Sequence, residues 1–421
     1  MCSSGRDTFY GCRRVLIIVE NLPVPFDRRV WLEATTLQRA GYVVSVICPK
    51  GPGFESAEET IEGVHIYRHA LPIEAQGAFG YLLEYAVALF WELILAIRIK
   101  RRHGFDVVHA CNPPDFLFLV ALVFKLLFGT KFVFDHHDAN PELYEAKFGR
   151  RDLFCWFLRQ AEKLTYRTAD VAIATNESYR DIAIQRGGML PANVFIVRSG
   201  PDLSRMKRSE PVPKWRNGRS HMVGYVGVIS KLEGLDLLLS SVEHIVYRHQ
   251  SDDIQFVVVG SGPEFEQIAA LCTKLKLNNW VTFTGRVDDN ALFEILSTAD
   301  VCVNPDRVSA MTNISTMNKV MEYMAFEKPI VQFDVKEGRY SAGDASLYAA
   351  HNDPVDFADK LLRLIDDAEL RRQMGQSGRR RVVEILSWER QESKLLEAYE
   401  TVYQLTNSGG LYGLLRSRRL T

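Results

Sequence analysis

Short apolar runs alternate with helical periodicities along the whole chain. Runs of that kind are buried on both faces, so the alternation predicts parallel sheets covered by helices. In the first half the strand candidates are Val15–Val19, Val43–Ile47, Val64–Tyr67, Asp106–His109, Lys131–Phe134, Val171–Ala174 and Val194–Val197. The polar stretch 204–222, rich in proline and in lysine and arginine, reads as a linker. The alternation restarts with Met222–Val226, Gln255–Val259, Val281–Thr284, Asp300–Val303 and Pro329–Phe333. Two doubly wound α/β domains are therefore expected, 1–205 and 222–386, joined by a linker at 206–221. The last helical stretch, within 387–421, is expected to pack back toward the first domain.

One stretch combines a core stripe with a polar face. In Ser315–Val331 the apolar residues Met317, Val320, Met321 and Met324 fall at i, i+3, i+4 and i+7, and Asn318, Lys319 and Glu322 lie opposite. Ser315 is a natural N-cap, which would place the hydroxyls of Ser315 and Thr316 beside free N–H groups at the positive end of the helix. Such an end can hold a phosphate, with Glu322 about two turns on for ribose hydroxyls. The plainer alternative is an i,i+3 Lys–Glu pair on a solvated face.

Two segments are unusually apolar. Residues 80–99 read GYLLEYAVALFWELILAIRI and run into Lys100-Arg101-Arg102. Glu84 and Glu92 interrupt the run, which argues against a spanning helix and leaves a buried helix or one lying in a bilayer interface with a basic flank. Phe116–Phe128 is shorter and reads as a core helix.

Bulk properties narrow the class. At 421 residues the chain is too long for one core. A formal net charge of −1 gives no basis for nucleic-acid binding. The seven cysteines stand singly, with no Cys/His cluster at ligand spacing, so neither a disulfide framework nor a structural zinc is expected. The first fourteen residues lack an apolar leader core, and a cytoplasmic protein is expected.

Ligands of open α/β sheets bind at the carboxyl ends of strands, so the loops there carry the candidate chemistry. After the first strand, Asp27, Arg28 and Arg29 open a helix where the arginines could meet an anionic ligand. Asn112 and Asp115 follow Asp106–His109. Asp135, His136, His137 and Asp138 form the densest polar cluster of the first domain, suited to acid–base or hydrogen-bonding work, with metal binding the weaker option. In the second domain, Gly227 and Lys231 lie in one Gly-containing turn and Gly260 and Gly262 in another, each open to the approach of a phosphate.

The ordered set of stretches YVGVISKLEGLDLLL, FVVVGSGPEFEQI, WVTFTGRV, ADVCVNP and NKVMEYMAFEKPIV resembles the donor-binding half of GT-B glycosyltransferases of retaining family 4 (group 1). RVLIIVENLPVPFDRRVWLEA, FVFDHHDANPE, TADVAIATNESYR and VRSGPD add the first half, so the resemblance covers about 14–388. It implies the GT-B fold, two Rossmann-like domains with an interdomain cleft. It also implies a nucleotide-diphosphate sugar as donor, transfer with retention, no bound metal or other cofactor, and a glycan or lipid-linked acceptor at the cytosolic membrane face. By the same resemblance, Glu322 meets the donor ribose, His137 hydrogen-bonds near the transferred sugar, and Arg286 and Val287 lie where the base is read by backbone groups.

The chain departs from the family pattern where charge matters most. Ile314 stands in place of the first glutamate, flanked by Asn313 and Ser315, and the basic pair that grips the diphosphate would fall near Val228 and Glu233. Lys319, the helix start at 315–316, and Lys231 or Arg286 are the expected substitutes. The alternatives are a non-catalytic partner subunit of the same fold, favoured by those departures, and a nucleotide-sugar 2-epimerase. The donor sugar, base, acceptor, linkage and oligomeric state are not written in the sequence.

Overall fold

The computed structural model describes residues 13–70 and 77–405, and for 77–85 the backbone alone. The readings of residues 1–12, and of the side chains of Gly80–Tyr85, lie outside the described residues. Two compact units emerge. The first takes the chain up to Pro141, Arg150–Val197 and the residues from Glu392 on; the second takes Glu142–Gly149 and Arg198–Gln391.

The first unit is built on the strands β1 (Arg14–Val19), β2 (Val43–Pro49), β3 (Glu58–Ile61), β4 (Val64–His69), β5 (Val107–Cys111), β6 (Lys131–His136), β7 (Val171–Ala174) and β8 (Val194–Ile196). They form one sheet in the order β3-β4-β2-β1-β5-β6-β7-β8, parallel except for β3. The second unit has β9 (His221–Val226), β10 (Ile254–Val259), β11 (Val281–Gly285), β12 (Val301–Asn304), β13 (Ile330–Phe333) and β14 (Ser346–Ala349), in the order β11-β10-β9-β12-β13-β14. All its pairings are parallel. Both units are therefore doubly wound α/β folds, as the alternation predicts.

The twelve strands expected from apolar runs are all present within one or two residues. The two others, β3 and β14, are edge strands. The sequence EETI of β3 is charged and half-exposed, which suits an edge and hides it from a search for apolar runs.

The longer helices that follow the first unit's strands are α1 (Arg28–Arg39), α2 (Gly77–Arg102), α3 (Phe118–Phe128), α4 (Asn140–Phe148) and α5 (Leu153–Thr168). Asp27 caps α1, its carboxylate accepting from the Val30 N–H at 3.1 Å. In α3 only one side is core: Phe118, Val120, Ala121 and Phe124 are buried, whereas Leu119, Leu126, Leu127 and Phe128 are exposed. Lys100, expected as part of a basic flank of α2, turns inward instead, its ammonium bonded to the Phe105 carbonyl and lying 4.6 Å from the Phe105 ring. The segment 206–221, expected as a linker, groups with the second unit. Trp215 donates to Glu294 at 3.1 Å and Arg216 forks onto Asp300 at 2.7 and 3.0 Å.

Glu92, in α2, is fully buried, and neither carboxylate oxygen has a hydrogen-bond partner among the described residues. Burial pushes its pKa up to about 8. An unfolded chain ionises such a group near about 4.3, so across the interval between the two values the folded state holds a proton that the unfolded state releases. Stability must fall as pH rises through that window. Glu92→Gln is expected to flatten this slope and to add on the order of 2–3 kcal/mol at neutral pH. Denaturant unfolding of both proteins across the window measures it, and parallel profiles would show that the carboxyl titrates normally.

Candidate active site

Each unit carries a polar cluster where its strand order reverses. From β1 the chain winds one way to β2, whereas β5 and β6 lie on the other side, so a crevice opens at the carboxyl ends of β1 and β5. In the second unit the corresponding point lies between β9 and β12.

In the first unit, α1 delivers Arg29 to this point. Its guanidinium donates to both carboxylate oxygens of Asp135, at 3.1 and 2.9 Å, and to the Val197 carbonyl at 2.9 Å, and it pairs with Glu33 at 3.0 Å. Arg29, Glu33 and Asp135 are all buried. Burial acts to raise Asp135, but Arg29 and the neighbouring imidazoles outweigh it and hold the carboxyl well below its usual range. Burial pushes Glu33 up, and the charge on Asp135 adds to that. His109 completes the buried set, 3.6 Å from Asp135 and 3.7 Å from Glu33, with its Nδ1 2.7 Å from the Tyr399 hydroxyl.

His137 sits just past β6 on the outer side of this cluster. Its Nε2 lies against Asp135 and 3.0 Å from Arg29 Nε, and its backbone N–H donates to Asn112 Oδ1 at 2.6 Å. Asn112 in turn donates to Asp115 at 2.8 Å and to the Asp138 carbonyl at 2.7 Å. Asp115 is fully enclosed; burial pushes it up to about 6 against the hydrogen bonds from Asn140 and Asn112. Arg29, Asn112 and Asp115, expected to face an acceptor, are thus internal supports of the His137 loop. Asp27 is a helix cap, and Arg28 alone of that group is exposed. His136 is a core residue, hydrogen-bonded to Tyr166 at 2.7 Å and stacked on Tyr179. Glu33, Cys111, Asp135 and His137 offer ligand atoms within 4.8 Å of one another, yet the Arg29 guanidinium already supplies positive charge to three of them.

In the second unit, Lys319 is the central cation. Its ammonium lies 2.6 Å from the buried carboxylate of Asp306, just past β12, and 5.0 Å from the Tyr225 ring of β9. A Cβ on Gly227 would stand 3.6 Å from it. Lys319 thus reaches the carboxyl ends of both strands at the switch point. Burial pushes Asp306 up, and Lys319 opposes the shift.

The helix that carries Lys319 starts later than expected. Ser309 and Thr312 form a reciprocal capping box that opens a short helix, Ala310–Ile314, and Ser315 is its exit. The chain restarts at Asn318 with Met317 as N-cap, and Ser315 Oγ donates to the Met311 carbonyl at 2.8 Å. Ser315 is therefore no cap of Asn318–Ala325, because an earlier cap pre-empts it. Val320, Met321 and Met324 are fully buried as the stripe predicts, while Lys319 and Glu322 are half-buried and Asn318 is exposed. Of the flanks of Ile314, Asn313 accepts from the Lys336 N–H at 2.9 Å.

The glycine turns have a different use from the expected phosphate cradle. The Gly227 N–H donates to Val259 and the Gly260 N–H to Gly285, at 3.0 and 2.9 Å. Gly260 has φ +137, and a Cβ there would meet the Gly227 carbonyl oxygen at 1.8 Å; one on Gly262 would meet that of Ile229 at 2.4 Å. The glycines let one turn lie directly on the next. Lys231 and Arg286 are exposed, and Val287 packs against the apolar cluster around Met321 and Phe326.

Sequence inspection missed four members of these clusters. Glu33 stands four residues after Arg29 on one helix face, a legible ion-pair spacing, and Asp306 follows a strand, where ligand groups are sought. His109 lies within an apolar strand and Tyr399 is far off in sequence, so neither had a local signal.

The family described as "Glycosyl transferases group 1" matches residues 220–367, and that described as "Glycosyl transferase 4-like domain" matches residues 27–200. The alpha-D-kanosaminyltransferase of Streptomyces kanamyceticus is 22% identical over 73% of this chain and 80% of its own length. Among solved structures, sucrose-phosphate synthase from Thermosynechococcus elongatus superposes with a TM-score of 0.77 at 19% identity, over 93% of this chain and 99% of that one. The Anabaena protein HepE, solved in complex with UDP, gives 0.68 at 14% identity, over 92% and 100%. With these matches across both units, the chain belongs to the group 1 glycosyltransferases, enzymes of the GT-B fold.

Proposed function

We propose that this glycosyltransferase moves a sugar from a nucleotide-diphosphate donor to a glycan or lipid-linked acceptor with retention of anomeric configuration. The observation that carries the proposal is Lys319, anchored by Asp306 over Tyr225 where β9 and β12 diverge. A cation held there meets the leaving diphosphate as negative charge develops on it, without a resident metal ion. Glu322 lies one helical turn further along the same face, at the i,i+3 spacing, and would hold the donor ribose.

In this reading the bond from the anomeric carbon to the diphosphate oxygen breaks as the acceptor hydroxyl approaches on the same face. The departing oxygen takes the hydroxyl proton and the new glycosidic bond forms where the old one was. His137, with Nε2 fixed by Asp135, presents Nδ1 to the sugar. HepE is solved in complex with UDP, which makes a uridine diphosphate donor the first to try.

Titration calorimetry with UDP, GDP, ADP and CMP tests the donor. One diphosphate is expected to bind in preference, and Glu322→Gln to weaken it about tenfold through loss of a charged acceptor for the ribose. Absence of binding by every nucleotide, or equal affinity in the variant, would overturn the assignment.

A further inference from the structure

The first unit carries an apolar surface that the transfer reaction does not use. The helices α2, α3 and α5 connect β4 to β5, β5 to β6 and β6 to β7, all in the same direction along the sheet, so right-handed crossovers put them on one face. On α2 the residues Phe90, Trp91, Ile94 and Ile97 are exposed at helical spacing. Leu126 and Leu127 continue the surface on α3. Leu153, Trp156 and Phe157 do so on the first turns of α5, where Leu153 is 78% and Trp156 57% exposed. The second unit has only scattered exposed apolar residues, such as Val228, Tyr247 and Val355. Large apolar side chains exposed on neighbouring helices of one sheet face mark a contact surface.

Its exposed charges are mostly basic. Ile94, Ile97, Arg98, Arg101 and Arg102 line a shallow groove at the end of α2. Arg98 and Arg102 share Glu58, at 2.7 and 3.0 Å, so the carboxylate neutralises only part of that charge. Arg159, Lys163 and Arg167 lie along α5, and Arg150 and Arg151 precede it, both exposed. Of the acids on these three helices, Glu92 and Glu162 are buried, and Glu84 lies where the backbone alone is described; exposed Asp152 is the cap of α5.

From this geometry we infer that the α2–α3–α5 face docks on an anionic lipid bilayer. Leu153, Trp156 and Phe157 enter the interface while the arginines meet lipid phosphates. Among the described residues no helix is long and apolar enough to cross a membrane, so the contact is one of lying on it. A second copy of the chain fits less well, because an isologous contact would set a basic face against itself. The inference stands on the surface alone and gives a lipid-linked acceptor its setting.

The test is flotation of the full chain with vesicles of phosphatidylcholine containing about 30 mol % phosphatidylglycerol, and with pure phosphatidylcholine. Wild type is expected to float with the anionic vesicles and to be released by high salt. Leu153→Glu/Trp156→Glu and, separately, Arg101→Glu should each lower the bound fraction about tenfold. Vesicles brominated in the acyl chains should quench wild-type tryptophan fluorescence, and Trp91→Phe/Trp156→Phe should remove most of that quenching. Failure to float, or flotation unchanged in the charged variants, would overturn the inference. So would a wild-type dimer in sedimentation velocity that Leu153→Glu/Trp156→Glu converts to monomer. Nucleotide affinity of the same samples is expected to be unchanged; it reports on the donor assignment separately, since these residues lie outside the second unit.

Discussion

Lys319→Ala is expected to lower turnover by about 10²–10³-fold, the usual consequence of removing one preorganised group from a developing oxyanion. The same change leaves Asp306, 4% exposed, with a buried carboxylate and no counter-charge, which costs about 3–5 kcal/mol of stability. The two effects separate in the double variant Lys319→Ala/Asp306→Asn. A neutral amide no longer needs the ammonium, so the melting temperature should recover toward wild type while turnover stays low. Nucleotide release from the diphosphate sugar that calorimetry selects, measured beside thermal unfolding, decides it. Recovery of turnover in the double variant would mean that Lys319 serves only the fold.

Arg29→Ala should be the most damaging single change in the first unit, costing about 3–5 kcal/mol, because it strands Glu33 and Asp135 side by side without a cation. The pH dependence has a definite sign. In the wild type Asp135 is held well below its usual range, so its contribution is fully present above the unfolded pKa and is lost progressively as pH falls from there toward the lowered folded value. Without Arg29 the two buried acids favour sharing a proton, and the deficit is largest at neutral pH and shrinks on acidification. Arg29→Lys should recover part of the loss, since it keeps the charge but not the fork that holds Asp135 through two nitrogens. Thermal unfolding from acid to neutral pH measures all three. A uniform small loss would instead make Arg29 a ligand-facing group, as the sequence first suggests.

The sheets were legible because their central strands are buried on both faces and so spell unbroken apolar runs; EETI of β3, half-exposed at an edge, does not. The site was legible in part. Lys319 and Glu322 stand out because an apolar stripe fixes which side of their helix points away from the core. The start of that helix did not, since the Ser309–Thr312 box and the Ser315 exit are spelled with the same residue types that cap a helix. Arg29 and Asp115 look identical in sequence whether they face a ligand or a neighbour. Only the tertiary partners Asp135 and Asn140 distinguish the two. The glycines of GSGPE suit either a phosphate or a second turn of backbone, and here the backbone takes the space.

The helix Trp388–Gln404 has a consequence for biosynthesis. From Glu392 on it belongs to the first unit, where Leu395, Ala398, Tyr399 and Val402 are fully buried and Tyr399 meets His109 beneath the Arg29 cluster. The first unit to leave the ribosome is thus the last to be completed. Its sheet can assemble once β8 has emerged, but the wall behind His109 arrives only after the whole second unit has been made. Until then the nascent chain carries an apolar gap some two hundred residues upstream of the segment that closes it, roughly the span between β8 and Glu392.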